Sequence, residues 1–355
     1  MRAHSSSAYV LVLTFLVACG EQTPSNAPAP AAASAPATPA PSEAPAPRPT
    51  EQPKQDADVV EAPKPLEAKA PTVKVLEPGA APRRALRYKF KAGVTERAAM
   101  DMKMSMTMAT GGKDSPKIEI PTMRSIMRFD AKEVTPDGDL RVAVETEKVE
   151  VLKDAKVDPT IVAALEKEVV GLVGTKGTAK ISPRGVATET DFELPPAASP
   201  KLKGQLESIR DAIRNMYMPL PEEEVGKGAK WEVTSRVPIS GAMMDVKATY
   251  ALQKLEADSA QADVELALSA PPNQPMQLPG LPPGASTTLD SLAGKGTGKA
   301  SPSFVKLVGS GTSKLSMEMT STTAIQGQKM SMKMSTDIAM SIGPSKAAPA
   351  APAKK

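Results

Sequence analysis

The sequence predicts an α+β fold that is mainly β: a large curved antiparallel sheet built from two degenerate β-rich repeats, with two covering helices. Three observations carry this. Apolar and polar residues alternate over most of residues 86–342, the period of a sheet with one dry face. Two segments break that period with an apolar stripe behind a proline-marked helix start. Finally, residues 176–183 (KGTAKISP) return at 295–302 (KGTGKASP) with six identities in eight.

The elements follow in order. Met100, Met102, Met104, Met106 and Met108 alternate with Asp101, Lys103, Ser105 and Thr107, which puts every sulfur on one face of a strand, whereas a helix would scatter them. The turn residues Gly111, Gly112, Lys113 and Asp114 come next, then a strand over 118–129 in which Pro121 marks a shift of parity, as a bulge or an edge requires. Asp158 and Pro159 supply an N-cap and first-turn proline to a helix carrying Ile161, Val162, Leu165, Val169 and Leu172, with Gly174 to close it. Ser199 and Pro200 repeat the device before Leu202, Leu206, Ile209, Ile213 and Met216, and Pro219 stops that helix.

One-sided strands then carry Trp231, Val233, Val237 and Ile239; Met244, Val246, Ala248, Tyr250 and Leu252; and Ala262, Val264, Leu266 and Leu268. Leu315, Met317 and Met319, followed by Met330, Met332, Met334, Ile338, Met340 and Ile342, flank Gln326, Gly327 and Gln328 and read as a hairpin. Residues 127–145 line up loosely with 249–267 ahead of the two KGT segments, which places the repeats at about 86–193 and 229–342.

Composition changes outside this region. Residues 20–84 hold fifteen of the 36 prolines, no aromatic and no apolar period, too little apolar surface to offset their ordering entropy. The stretch from 19 to 84 therefore reads as the anchor residue and a disordered linker, and 344–355 (PSKAAPAAPAKK) as a tail of the same kind. Sixty-five such residues reach at most ~200 Å as polyproline II and ~45 Å as a coil. A compact domain of this size has a radius of gyration of ~18 Å, so the domain works away from its anchor.

Charge and residue types narrow the function. Forty-four Lys and Arg against 40 Asp and Glu leave +4 on 355 residues, too little to mark a nucleic-acid partner. The one histidine is His4 and the one cysteine Cys19, so the side chains behind most nucleophilic, metal and redox chemistry are nearly absent. A non-enzymatic protein follows, with no catalytic residue, no metal and no cofactor. The near-motifs agree. GKGTGKAS at 294–301 has Ala293 where a phosphate loop needs glycine and reads as a turn before a strand. Ser303 and Lys306 have the spacing of a serine–lysine pair without its companion motifs. Asp137, Gly138 and Asp139 form a hairpin turn rather than a calcium loop. Glu222, Glu223 and Glu224 lie in a solvated loop between Pro221 and Gly226.

The N-terminus sets the compartment. Arg2 precedes an eleven-residue apolar run, residues 8–18, which is too short to span a bilayer and suits a secretory signal. Leu16, Val17, Ala18 and Cys19 resemble the lipobox of bacterial lipoproteins. The resemblance implies removal of residues 1–18, a diacylglyceryl thioether on Cys19 and a third acyl chain on the new amino group. Burial of two or three chains at about 0.8 kcal/mol per CH2 makes the membrane attachment permanent. Gly20 after the cysteine implies, by the same resemblance, sorting within the cell envelope to the outer membrane, with the periplasmic or the surface side left open. Lipobox, Pro-Ala tether and the strand start Gly228-Ala229-Lys230-Trp231 together are similar to uncharacterised secreted β-rich lipoproteins, a likeness that assigns no activity.

The methionines carry the functional expectation. Unbranched, polarizable thioethers repack around irregular guests, so Met100, Met102, Met104, Met106, Met108, Met317, Met319, Met330, Met332 and Met334 are the candidate contacts for a lipid or other hydrophobic ligand, or for an envelope partner. At fold level, residues 86–342 resemble envelope lipoproteins that hold acyl chains between a curved antiparallel sheet and covering helices. Two alternatives stand beside this: a structural lipoprotein without ligand, and Cu(I) binding by thioethers. Mass spectrometry of the mature N-terminus is expected to find acylated Cys19, and Cys19→Ser is expected to move the protein from the membrane to the soluble fraction; an unmodified Cys19 overturns the anchor.

Overall fold

The computed structural model describes residues 70–345 except 112, 154–156, 197, 199–215 and 277–283. The strands are β1 (Thr72–Glu77), β2 (Arg84–Ala85), β3 (Thr95–Thr110), β4 (Lys113–Asp114), β5 (Ile118–Val134), β6 (Leu140–Val151), β7 (Lys176–Ile181), β8 (Ala187–Glu193), β9 (Glu224–Val225), β10 (Lys230–Ile239), β11 (Ala242–Leu255), β12 (Ala260–Ala270), β13 (Gln274–Met276), β14 (Ser286–Ser301), β15 (Ser310–Ile325) and β16 (Gln328–Pro344). Fourteen of them make one antiparallel sheet in the order β1-β10-β11-β12-β14-β15-β16-β3-β5-β6-β7-β8, with β13 beside β14 and β4 beside β3. β2 and β9 pair separately.

The period-two reading is realised in detail. β15 and β16 meet through a two-residue loop, Gln326 and Gly327, with φ of 49° and 82°; both central residues of this hairpin type need φ > 0. The Pro121 parity shift is a bulge: one β3 residue separates Met102 from Met104, while Pro121 and Thr122 separate their partners Met123 and Ile120 on β5. Gly138, at φ 86°, turns the chain between β5 and β6, and the Glu256 N–H donates to the Ser259 carbonyl at 2.9 Å in the corresponding turn between β11 and β12.

Two expectations change. α1 (Pro159–Val169) is the one α-helix among the described residues, capped as expected by Asp158, which accepts from the Thr160 N–H at 2.7 Å. Of its stripe only Val169 is fully buried, so it covers little of the sheet. The second expected helix, with Leu202, Leu206, Ile209 and Ile213, lies outside the described residues. β1 falls inside the stretch read as linker, so ordered structure begins well before Arg84. Val73 and Val75 of β1 face Val233 and Trp231 of β10, and this short alternation is masked in sequence by its proline-rich flanks.

GKGTGKAS is not a turn but the interior of β14. Gly294, Gly296 and Gly298 pair with Met317, Leu315 and Ser313, on the apolar face. A Cβ on Gly294 would lie 2.9 Å from Leu268 Cδ1, and one on Gly296 would lie 2.6 Å from the Lys314 carbonyl oxygen. The neighbours fill the space that a side chain would take, the usual sense of glycine inside a strand. The echoed segments also share a register: Leu140–Ile181, Val142–Ala179 and Val144–Gly177 pair as Ala262–Ala300, Val264–Gly298 and Leu266–Gly296 do.

Although β10 and β8 stand near opposite ends of the strand order, one segment touches both regions. The Trp231 Nε1–H of β10 donates to the Pro219 carbonyl at 3.0 Å. The Leu220 N–H donates to the carbonyl of Arg184 in the β7–β8 turn at 2.8 Å, and Arg184 Nε returns a bond to the Leu220 carbonyl at 3.0 Å. Tyr88, Phe90, Tyr217 and Phe304 pack here with ring centroids 5.3–5.9 Å apart. The sheet thus closes on its own apolar face at this end. Gly296→Ala is expected to destabilise by roughly 1–3 kcal/mol, read from the urea midpoint; an unchanged midpoint would show that β14 and β15 move apart freely.

Candidate functional site

Cross-strand partners share a face, so the register of β15, β16 and β3 sorts the methionines into rows. Ser313, Met340 and Met102 form one row; Leu315, Ile338 and Met104 the next; Met317, Thr336 and Met106 the third; Met319, Met334 and Met108 the fourth. Beyond these lie Ser321 opposite Met332 and Thr323 opposite Met330, toward the hairpin loop. Exposure rises along the rows. Met100, Met102, Met104, Met106, Met317 and Met334 are buried. Met108, Met319 and Met332 are half-buried, and Met330 is 48% exposed. The structure therefore brings the candidate methionines of three strands onto one surface. Cys19 lies outside the described residues.

The core beneath the sheet is chemically divided. Tyr88, Phe90, Phe129, Phe192, Tyr217, Trp231, Tyr250 and Phe304 all belong to one buried cluster, at the end held by residues 216–220. Trp231 stacks on Tyr250 with centroids 5.5 Å apart, and burial pushes the Tyr250 phenol well above its ordinary pKa, which removes it from proton transfer near neutrality. Met100, Met102, Met104, Met106, Met317 and Met340 belong to a second cluster with Met123, Met244, Leu268 and Val169. The first cluster holds all of these rings together with Met216 and Met218, whereas the second has no ring and is dominated by thioethers.

Hydroxyls interrupt the thioether end. Thr287 and Thr323 bond to each other at 3.0 Å, while Ser321 Oγ and Thr336 Oγ1 are buried without a hydrogen-bond partner. Sequence reading passed over these residues, although each holds a polar side chain at a position where the strand parity calls for an apolar one. That break of pattern is the signal by which they are found.

The opposite face is polar. An open groove of about 670 Å³ crosses it between β12 and β5, lined by Asp101, Lys103, Asp263, Glu265, Lys299 and Lys314 among others. Much of its charge is internally satisfied: Lys299 lies 3.0 Å from Asp263, and Arg124 donates two 2.6 Å bonds to Asp101. No group of His, Cys, Asp and Glu suited to a metal occurs among the described residues. The near-motifs resolve into local structure, since Ser303 Oγ accepts from the Val305 and Lys306 N–H groups at 3.4 and 3.1 Å. Glu222, Glu223 and Glu224 are exposed.

Residues 201–302 match a family of unknown function (DUF6263). No curated protein matches the chain. No helix among the described residues is long and apolar enough to cross a membrane.

Two carboxylates on the polar face carry a pH dependence. Burial alone would raise Asp130, but the Thr95 hydroxyl at 2.8 Å, Arg128 and Lys132 outweigh it and hold the carboxyl below its ordinary range. The Ser316 hydroxyl at 2.7 Å, with Lys117, holds Asp337 low against the opposing effect of burial. A depressed folded pKa adds stability that is present above the unfolded value of about 4 and lost as pH falls through the folded value. Asp130→Asn with Asp337→Asn is expected to lower the urea midpoint at pH 7 and to flatten its decline below about pH 4. Parallel pH curves for wild type and variant would exclude these groups from the acid limb.

Proposed function

We propose that this chain is a lipid-anchored protein of the cell envelope, acylated at Cys19 and sorted to the outer membrane, whose sheet domain binds a hydrophobic ligand at the thioether end of its apolar face. The divided core carries this reading. Aromatic rings have fixed shapes and set the closed end, whereas methionine has three rotatable side-chain bonds and accommodates guests of irregular outline. The burial of Met100, Met102, Met104 and Met106 assigns those four to the supporting floor. Met108, Met319, Met330 and Met332, which are half-buried or exposed, form the approach.

A second reading, a scaffolding lipoprotein without ligand, draws on that same burial, because a floor of packed thioethers needs no guest. The exposed Met330 at the end of the rows favours the first reading. In both, the Pro/Ala-rich tether between Cys19 and the folded region sets the working distance from the membrane. The two register-matched KGT segments support taking residues 86–193 and 229–342 as degenerate copies of one β-rich unit.

Native mass spectrometry of protein purified from membranes is expected to show a lipid adduct that organic extraction removes. Met332→Glu, at the approach, is expected to weaken binding of a lipophilic naphthylamine dye about tenfold or more, since an ionised carboxylate in an apolar contact costs over 1.4 kcal/mol, with an unchanged circular dichroism spectrum. Absence of both lipid adduct and dye binding defeats the ligand reading and leaves the scaffold.

A further inference from the structure

The groove on the polar face holds about 670 Å³ and is open to solvent, a volume in the range of small-ligand sites. Two neighbouring cross-strand rows build it. One runs Asp263, Lys299, Thr312, Ser341, Asp101 and Arg124 over six strands, from β12 to β5. The next runs Glu265, Thr297, Lys314, Ala339 and Lys103.

The two rows differ in how their charges are used. The first is closed at both walls, by Lys299 with Asp263 at 3.0 Å and by the two 2.6 Å bonds of Arg124 to Asp101. Between these pairs stand the hydroxyls of Thr312 and Ser341. In the second row Lys314 and Lys103 flank Ala339, which sets their Cα atoms two strand spacings, about 10 Å, apart. Lys314 is exposed and makes no hydrogen bond or ion pair among the described residues. The small side chain of Ala339 leaves the space above it open, and two flexible lysine stems can turn their ammonium groups onto one anion there.

The same lining selects the kind of anion. Each of the six strands has a neighbour on both sides, so its backbone belongs to the ladder and an extended peptide finds no edge to pair with. Asp101, Asp263 and Glu265 also line the groove, and three carboxylates repel a densely charged chain such as a polyphosphate. An occupant with sparse negative charge and many hydroxyls meets both conditions. Thr297, Thr312 and Ser341 both donate and accept, and the carboxylates accept.

We propose that this groove binds an acidic saccharide chain. One carboxylate of the chain sits over Ala339 between Lys314 and Lys103, and its ring hydroxyls bond to Thr312, Ser341 and Glu265. The site lies on the opposite face of the sheet from the thioethers, so it stands or falls independently of the hydrophobic ligand.

The test is isothermal titration of the full chain with a galacturonic acid trimer and with the methyl ester of that trimer, which keeps the ring hydroxyls and loses the charge. The acid is expected to bind about tenfold more tightly than the ester at low ionic strength, and the advantage is expected to shrink in about 0.5 M salt. Lys314→Gln is expected to weaken the acid about threefold, and Lys103→Gln with Lys314→Gln to bring it to the affinity of the ester. Ala339→Phe fills the space between the lysines and is expected to abolish binding of both. Lys254→Gln, at an exposed lysine that does not line the groove, is expected to change nothing. Melting temperatures of the variants separate lost binding from lost folding, and the lysine variants decide the matter if Ala339→Phe does not fold. Absence of binding to the acid, equal affinity for acid and ester, or a loss in Lys254→Gln as large as in Lys314→Gln overturns the proposal.

Discussion

The contacts of residues 216–220 are the constraint on which the rest of this structure depends. An open antiparallel sheet of this width exposes a large apolar face, and the one short α-helix among the described residues cannot cover it. The backbone of Pro219 and Leu220 ties Trp231, near one end of the strand order, to Arg184, near the other. Tyr88 adds to the junction: its N–H donates to Pro183 at 2.7 Å and its hydroxyl to Met218 at 3.2 Å. Each of these bonds satisfies a buried polar group that would otherwise be costly, so the segment both closes the sheet and completes the wiring of its core.

That closure explains why the core has two compositions. At the tied end distances are set by backbone hydrogen bonds, and aromatic rings of fixed shape pack into the resulting space. The glycines of β14 belong to the same economy of space, because Leu266, Leu268 and Leu315 fill the volume their missing side chains leave. Toward the β15–β16 loop no such clasp occurs among the described residues, and the same strands carry thioethers and hydroxyls. An end of fixed shapes and an end of flexible side chains thus stand on one continuous set of strands.

Much of the fold was legible before any coordinates. Alternation of Met100 to Met108 placed the sulfurs on one face, Asp158 and Pro159 marked the start of α1, and Pro121 marked its bulge; each is a local rule acting over a few residues. What escaped had nonlocal causes. β1 is six residues long and gains its strand character from Val233 and Trp231 across the sheet. The KGT segments looked like turns because glycine usually breaks strands, and only the leucines of neighbouring strands make glycine the fitting residue there. The methionines of the candidate surface were found by their type, whereas Ser321 and Thr336 were missed because isolated hydroxyls in a strand are ordinary until their surroundings show that nothing bonds them.

The sequence by itself determined the mainly β character, the sidedness of each long strand and the tight hairpin at Gln326 and Gly327, because alternation, capping and φ preference are short-range properties of the chain. It also determined that histidine and cysteine occur once each. Only the tertiary structure decided the order of the fourteen strands in the sheet, the junction of its ends through residues 216–220 and the separation of aromatic from thioether core. These depend on pairings between residues a hundred or more positions apart, such as Met106 with Thr336, and on which buried groups find a partner, quantities that no local pattern encodes.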